Sequence, residues 1–507
     1  MTRPPAAGLE SRSGEGAPPV GAEAREPKVG VAVRSALFWN LSNQVVTQAA
    51  SALVFVLLAR ELTPADLGVY ALAALVVDAF ANETRVAAVD LLLLRRDFSD
   101  RFLSTVLAAG MGAALLAAAA LASAAPLLAS LAQAPALARL LPALALSLLA
   151  SPLLAVLEAL ALKDLRFRLF AFRSMASTAG ASAAALLVLS CGGGAWAFVA
   201  QRLCASAVAV GLLWSVLRWT PALRFDPRSA VAVAGPFLKL WSAQLTNFAL
   251  GRVTDLIVGF GLGVGPLGLL RAGSRVLDLG VSALLGPLSG VFVPVLARSG
   301  DEGVRTGDLL QLTALAALLA APAFAGLALV APELVQVVFG ARYEGSGPAL
   351  RLLALATLPA PFTYFRSVTL VARGRAALAT TLGVADLLVT AAMVGLGSAW
   401  GLTPALEGAL AAGLIASAAS VLVTARAYGL PAGRLLSVTV PPYLGAAVMT
   451  VAVLGAAVAA AGLGPPARLA LEIGAGVVAF CAYIFAVHRP WLRERLRYLQ
   501  IPGAISA

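Results

Sequence analysis

The chain holds one histidine, His488, and three cysteines, Cys191, Cys204 and Cys481. One imidazole cannot build a histidine metal site. Cysteines set in or beside apolar stretches, with no CxxC pair, read as free thiols and not as a disulfide framework. Charge is also scarce: Asp, Glu, Lys and Arg make up 12% of 507 residues, where a soluble chain averages about 25%. No GxxxxGK[ST] stretch occurs, which excludes ATP binding through a P-loop. Residues 1–33 lack any apolar run; rich in Pro, Gly, Glu and Ala, they read as a disordered cytoplasmic tail. No cleavable signal peptide is indicated. Hydrophobic residues, at 60%, are what the chain has in excess. A span takes about 20 residues to cross a hydrocarbon core about 30 Å thick, so the chain reads as an all-α polytopic membrane protein.

Hydropathy predicts fourteen spans, near 36–60, 67–90, 102–124, 139–162, 169–190, 194–217, 232–261, 265–296, 309–331, 348–371, 376–398, 403–425, 437–461 and 467–487. The segment 125–138, broken by Pro126 and Pro135, reads as a loop with a short interfacial helix. The formal net charge of +12 would point to nucleic acid in a soluble protein. Here it follows topology: cationic residues crowd alternate loops, and no nucleic-acid partner is expected. With the N-terminus inside, the cytoplasmic loops hold Arg95, Arg96 and Arg101; Lys163, Arg166, Arg168 and Arg173; Arg218, Arg224 and Arg228; Arg298 and Arg305; Arg373 and Arg375; Arg426 and Arg434. The tail adds Arg489, Arg493, Arg495 and Arg497, while the outer loops and their margins hold Arg60, Arg139, Arg342, Arg351 and Arg468. This alternation supports an even count of spans with both termini cytoplasmic.

The halves look repeated. Trp39 and Trp241 open spans one and seven, 202 residues apart; Pro64 and Pro266 follow at the same offset; polar clusters Ser42, Asn43, Gln44 and Gln244, Thr246, Asn247 sit just inside both. A parallel repeat of this kind surrounds the central site of some transporters. The expected organisation is an N-lobe at 34–217, a C-lobe at 232–425, two further helices at 437–487 and a basic cytoplasmic tail at 488–507.

The chain is organised around Trp241–Asp278, two hydrophobic helices joined by a tight Gly/Pro turn at Gly261–Pro266. Gly263, Gly265 and Gly268 match GxGxxG, but a dinucleotide fingerprint needs a strand before it, so they read as turn glycines. Sequons at Asn40 and Asn82 fall inside spans and are discounted. Arg252 and Asp255 lie in the first helix of the stretch and Arg271, Arg275 and Asp278 in the second, the last three on one face. An ion inside a span costs roughly 2.5–3.5 kcal/mol on insertion scales, so such ions face protein or water. Two readings stand for them. Arg252 with Asp255 and Arg275 with Asp278 neutralise each other, or the arginines bind an anion such as a diphosphate or acidic sugar, which guanidinium grips with paired hydrogen bonds. The other span cations are Arg85, Arg202, Lys239 and Arg366. Span acids include Asp78, Glu83, Asp90, Glu158, Asp386, Glu407 and Glu472; lone ones such as Asp386, Glu407 and Glu472 can stay protonated, cap a helix near an interface or carry a coupling proton.

Several stretches carry a family likeness: LLARELTPADLGVYALA at 57–73, LKDLRFR at 162–168, GGGAWAFVAQRL at 192–203, DLIVGFGLGVGPLGLLRAGSRVLDL at 255–279, VAPELVQVVFGARYEGSGPALRLLAL at 330–355 and the pair Gly374-Arg375. Over roughly 34–490 the chain resembles the polysaccharide-type oligosaccharide-lipid flippases (O-antigen and exopolysaccharide transporters) of the multidrug/oligosaccharidyl-lipid/polysaccharide exporter superfamily. It departs from them at Leu270, where an aromatic is usual. The resemblance implies two six-helix lobes around a cavity that opens alternately to each side. It also implies an undecaprenyl-diphosphate-linked oligosaccharide as cargo, a bacterial inner membrane, and no catalysis or cofactor beyond coupling to an ion gradient. Glycan polymerase and glycosyltransferases are the protein partners it points to. The candidate lumen residues are Arg85, Lys239, Arg252, Arg271 and Arg275 for the anion, with Asp255 and Asp278 beside them and Asn43, Gln48, Gln244 and Asn247 for sugar hydroxyls. The rivals are a multidrug exporter, which wants an acidic, aromatic site; a membrane glycosyltransferase or ligase, which wants catalytic acids or a metal site, usually with a large outer loop; and a scaffold for glycan assembly.

Overall fold

The computed structural model describes residues 46–95, 98–164, 166–222, 226–288, 295–296 and 302–500. Asn43, with Trp39, Ser42 and Gln44, lies outside the described residues, as does the tail at 1–33. No strand occurs among the described residues. The helices in the first half are α1 (46–61), α2 (Pro64–Arg95), α3 (Asp100–Leu131), α4 (Leu137–Lys163), α5 (Phe167–Ser190) and α6 (Trp196–Leu217). In the second half they are α7 (Pro227–Gly261), α8 (Val264–Leu284), α9 (Glu302–Leu329), α10 (Ala331–Phe339), α11 (Ser346–Thr357), α12 (Arg366–Ala372), α13 (Ala376–Ser398) and α14 (Leu402–Ala427). Then follow α15 (Val440–Ala459), α16 (Pro465–Val487) and α17 (Arg489–Gln500).

The protein is a multi-pass membrane protein: among the described residues, ten helices are long and apolar enough to cross a bilayer. The expected fourteen spans are not reached on that measure. The central pair α7 and α8 falls short because it carries the charges, and α1 is described only from residue 46. The tenth expected span, 348–371, is broken into α11, a short turn at Ala360–Thr363 and α12. Pro359 and Pro361 sit at the break, where a ring in place of the N–H stops the helical ladder. The segment 125–138 differs the other way. α3 runs through Pro126 to Leu131, because Leu121, Ala125 and Ala129 continue its buried face at one-turn intervals while the proline lies on the exposed side.

Local chemistry starts the key helices. Thr63 caps α2: its backbone N–H and hydroxyl donate to Asp66 at 3.1 and 2.6 Å, and the Asp66 N–H returns a bond to Thr63 Oγ1 at 3.2 Å. With Pro64 in the first turn this is a capping box. Asp226 caps α7, accepting from the Arg228 N–H and the Ser229 hydroxyl. The hydroxyl bond leads in holding the Asp226 carboxyl below the usual carboxylate range. Gly263 turns the chain into α8 at φ +92°, a left-handed conformation that only glycine adopts cheaply; the expected turn is there.

The repeat has a physical seam. A Cβ on Gly68 would stand 1.7 Å from the Val264 carbonyl oxygen, and one on Gly268 would stand 1.7 Å from that of Pro64. The two helices therefore cross reciprocally, backbone on backbone, at equivalent glycines. The two glycines stand 200 residues apart, close to the 202 between Trp39 and Trp241 and between Pro64 and Pro266. In this register Asp78 matches Asp278, and Tyr70 stands opposite Leu270.

One end of the assembly is sealed between the α1–α2 turn and the α10–α11 loop. Arg60 donates to the carbonyls of Val338 and Val337 at 2.9 and 2.7 Å. Arg342 reaches the Glu61 carbonyl at 3.4 Å and the fully buried Tyr343 hydroxyl donates to Leu62 at 3.3 Å. Burial, more than nearby Asp66, pushes that phenol up to about 12.

Candidate functional site: an arginine-lined cavity

Below the seal, α1, α2, α4, α6, α7 and α8 enclose a cavity of about 590 Å³. Five arginines line it: Arg85, Arg202, Arg252, Arg271 and Arg275. The acids on its wall are Asp78 and Glu83, and the aromatic side chains are Phe55, Tyr70 and Phe248.

Most of these cations are held by carboxylates. Arg85 and Arg173 both pair with Glu158, a residue only 3% exposed, and Arg85 also donates to Asn82 at 2.8 Å. Arg202 pairs with Asp78 at 2.5 Å and donates to Ser147 at 3.3 Å. Arg271 and Arg252 share one buried oxygen of Asp255, at 2.9 and 3.4 Å. Glu83 is buried and accepts from Asn82 at 2.9 Å. Arg275 differs. It donates to Ser51 of α1 at 2.6 Å, its guanidinium lies 5.8 Å from the Phe55 ring centre, and its buried Nε has no partner. It makes no ion pair among the described residues.

The structure thus brings together Arg85, Arg252, Arg271 and Arg275, with Asp255 bracing two of them from behind the wall. The local-pairing reading holds for Arg252 with Asp255 and is corrected for Arg275: the Ser51 hydroxyl takes the place expected for Asp278. Asp278, Lys239, Gln48, Gln244 and Asn247 lie off the cavity wall. Lys239 and Asn247 are exposed, and Gln244 donates to Asp90 at 3.4 Å. Sequence reasoning missed the roles of Asp78, Arg202, Tyr70, Asn82, Glu83 and Glu158 at the cavity. It also missed Arg173, which was placed with the loop cations and sits inside α5. Charges inside apolar runs were the available signal, but nothing in the spacing links Asp78 to Arg202 or Glu158 to Arg173. A further pair, Arg366–Asp386 at 2.5 Å with Ser420 at 3.0 Å, sits by a pocket of about 10 Å³ that leaves little room for cargo. No cluster of metal-ligating side chains occurs among the described residues.

A cavity walled by low dielectric amplifies an excess of positive charge and concentrates anions. Residues 57–348 match the family described as polysaccharide biosynthesis protein. The chain belongs to that family. This polysaccharide biosynthesis protein is 25% identical over 318 residues to the succinoglycan biosynthesis transport protein ExoT of Rhizobium meliloti (strain 1021). The match covers 62% of this chain and 64% of the relative, just under two thirds of its length. Its fold is that of lipid II flippase MurJ in an inward closed conformation, with TM-score 0.70 at 14% identity, covering 90% of this chain and 100% of that one. An inward-facing multidrug resistance transporter of the MATE family in the MOP superfamily follows, with TM-score 0.53 at 17% identity, covering 77% and 95%.

Proposed function

We propose that the protein moves an undecaprenyl-diphosphate-linked oligosaccharide across the bacterial inner membrane, for exopolysaccharide, capsule or O-antigen synthesis. It acts as a transporter and not as a catalyst. Its halves, 34–217 and 232–425, rock about the Gly68–Gly268 crossing, with both termini cytoplasmic. The observation that carries this reading is Arg275, a guanidinium on a cavity wall that makes no ion pair among the described residues. A diphosphate supplies the missing anion and binds by charge-assisted, two-pronged hydrogen bonds. Arg252 and Arg271, sharing one carboxylate, have donors left to add. The family and the transport protein it resembles support the cargo class. Lys239, Gln48, Gln244 and Asn247 stand off this cavity and would reach cargo only after the halves move; Asp278 then tunes Arg275 from the same helix. Glycan polymerase and glycosyltransferases are the proposed neighbours, and an ion gradient the proposed energy source.

Asp78, Glu83 and three aromatic side chains also line the cavity, but its five arginines outnumber the two acids, so a multidrug exporter's lipophilic cation would meet net repulsion as well as its own desolvation cost. Deleting the gene in its host should abolish a surface or secreted polysaccharide and leave dye and drug sensitivity unchanged. A deletion strain that keeps its polysaccharide and accumulates cationic dyes would contradict the proposal and establish the exporter.

A further inference from the structure

A second cavity, of about 410 Å³, lies between α2, α3, α4 and α7. Its chemistry is opposite to that of the arginine cavity. On α2 it is lined by Phe80, Thr84, Ala88 and Leu91, one turn or so apart. On α3 the lining residues from Ala109 to Ala117 are all alanine or glycine, which hollows that face. A Cβ on Gly110 would lie 3.0 Å from the Pro152 Cβ, so the glycine sets the spacing between α3 and α4 there. The far wall is Phe237, Leu238 and Trp241 of α7, with Phe80 and Trp241 ring centres 6.4 Å apart. Among the described residues, Thr84, Ser151 and the Trp241 indole are the polar groups on this wall, and no charged side chain lines it.

Two features tie this groove to the arginine cavity. Ser151 lines both. The helix α2 is shared as well: Asn82 and Arg85 face the arginine cavity, while Phe80 and Thr84, one or two residues away, face the groove. A single molecule can therefore place an anion among the arginines and an apolar chain across the Ser151 shoulder. The groove also lies toward the Arg95 end of α2 and the Pro227 end of α7, away from the Arg60–Tyr343 seal. Leu238 on its rim is 56% exposed, which leaves the groove open to the outside of the protein there. A chain can enter sideways from the bilayer while the opposite end of the protein is shut.

We infer that this groove holds the polyprenyl tail of the carrier lipid while its diphosphate occupies the arginine cavity. The inference rests on the flippase reading above and adds a place for the tail. An apolar chain without a headgroup gains nothing from the adjoining arginines, and a headgroup without a tail leaves the groove to solvent or stray lipid. The carrier has both parts, joined in the order that the two cavities are joined.

The test uses full-length protein in phosphatidylcholine vesicles containing a polyprenyl diphosphate. A photo-reactive benzoylphenylalanine replaces Leu238 at the groove or, as a control, Val451, which is 71% exposed on α15. After irradiation the adduct mass identifies the lipid. A polyprenyl adduct several-fold stronger at Leu238 than at Val451 is expected. A second variant, Ala113→Phe, fills the groove; it should lose most of the thermal shift given by polyprenyl diphosphate and keep that given by inorganic diphosphate. Phosphatidylcholine adducts alone at Leu238, or equal lipid-induced shifts in Ala113→Phe and the parent, would overturn the groove assignment while the headgroup site stood. Absence of any shift by polyprenyl diphosphate in the parent would overturn the flippase reading itself.

Discussion

The two walls of the arginine cavity balance their charge differently. On the first-half wall, Arg85, Arg173 and Arg202 meet Glu158 and Asp78 on neighbouring helices, with Glu83 close by. On the second-half wall, Arg252 and Arg271 share the carboxylate of Asp255, and Arg275, which makes no ion pair among the described residues, feels only Asp278 of its own helix at longer range. One wall is neutralised by design of its packing, and the other keeps an excess of cations. Buried ions without partners are costly, so a surplus of this kind points to an anion that arrives from elsewhere. Structure belongs to the first wall and cargo to the second.

That contrast can be broken most severely at Glu158. Glu158→Ala leaves Arg85 and Arg173 without their anion in a site 3% exposed. Removing one partner of a buried pair costs about 3–5 kcal/mol, so thermal unfolding should show a large loss of stability. Loss of transport without loss of stability would move Glu158 from scaffold to cargo site.

The sequence shows why this residue was passed over. Apolar runs are a local property, so helices α2 to α6 were legible, and so was the turn at Gly263 because glycine chemistry is local too. Pairing across helices is not. Glu158 and Arg173 stand on different helices, and Arg202 finds Asp78 more than a hundred residues away. The i,i+3 spacing of Arg275 and Asp278 permitted a pair, but the Ser51 hydroxyl of α1 competes for the same guanidinium, and no spacing reveals a neighbour from another helix. The close crossing at Gly68 and Gly268 was not legible, because it is a backbone contact between helices far apart in the chain. The groove beside Ser151 left no trace in hydropathy, since alanine and glycine on α3 read simply as more span.

A smaller effect sits at the seal. Tyr343→Phe removes one hydrogen bond, to the Leu62 carbonyl, worth about 0.5–1.5 kcal/mol. Its pH dependence has a definite sign. The folded phenol is raised from 10.0 to about 12, so its stabilising contribution is full below pH 10 and is lost as pH climbs through about 12. The parent should therefore lose more thermal stability than Tyr343→Phe over that window, and parallel curves for the two proteins would contradict the assignment.

The most direct test of the account comes from Arg275. Its loss gives up a hydrogen bond to a charged group, about 1.5–3 kcal/mol, and relieves the desolvation of a part-buried guanidinium, so a small net change in stability is expected. The decisive measurement is flipping of a polyprenyl-diphosphate-linked oligosaccharide in liposomes by the parent, Arg275→Ala and Arg275→Lys at equal reconstitution. The account predicts that Arg275→Ala stays folded and stops transport. Arg275→Lys should recover only part of it, because a point charge lacks the two-pronged grip. Full flipping by folded Arg275→Ala would contradict the claim that the unpaired arginine receives the diphosphate.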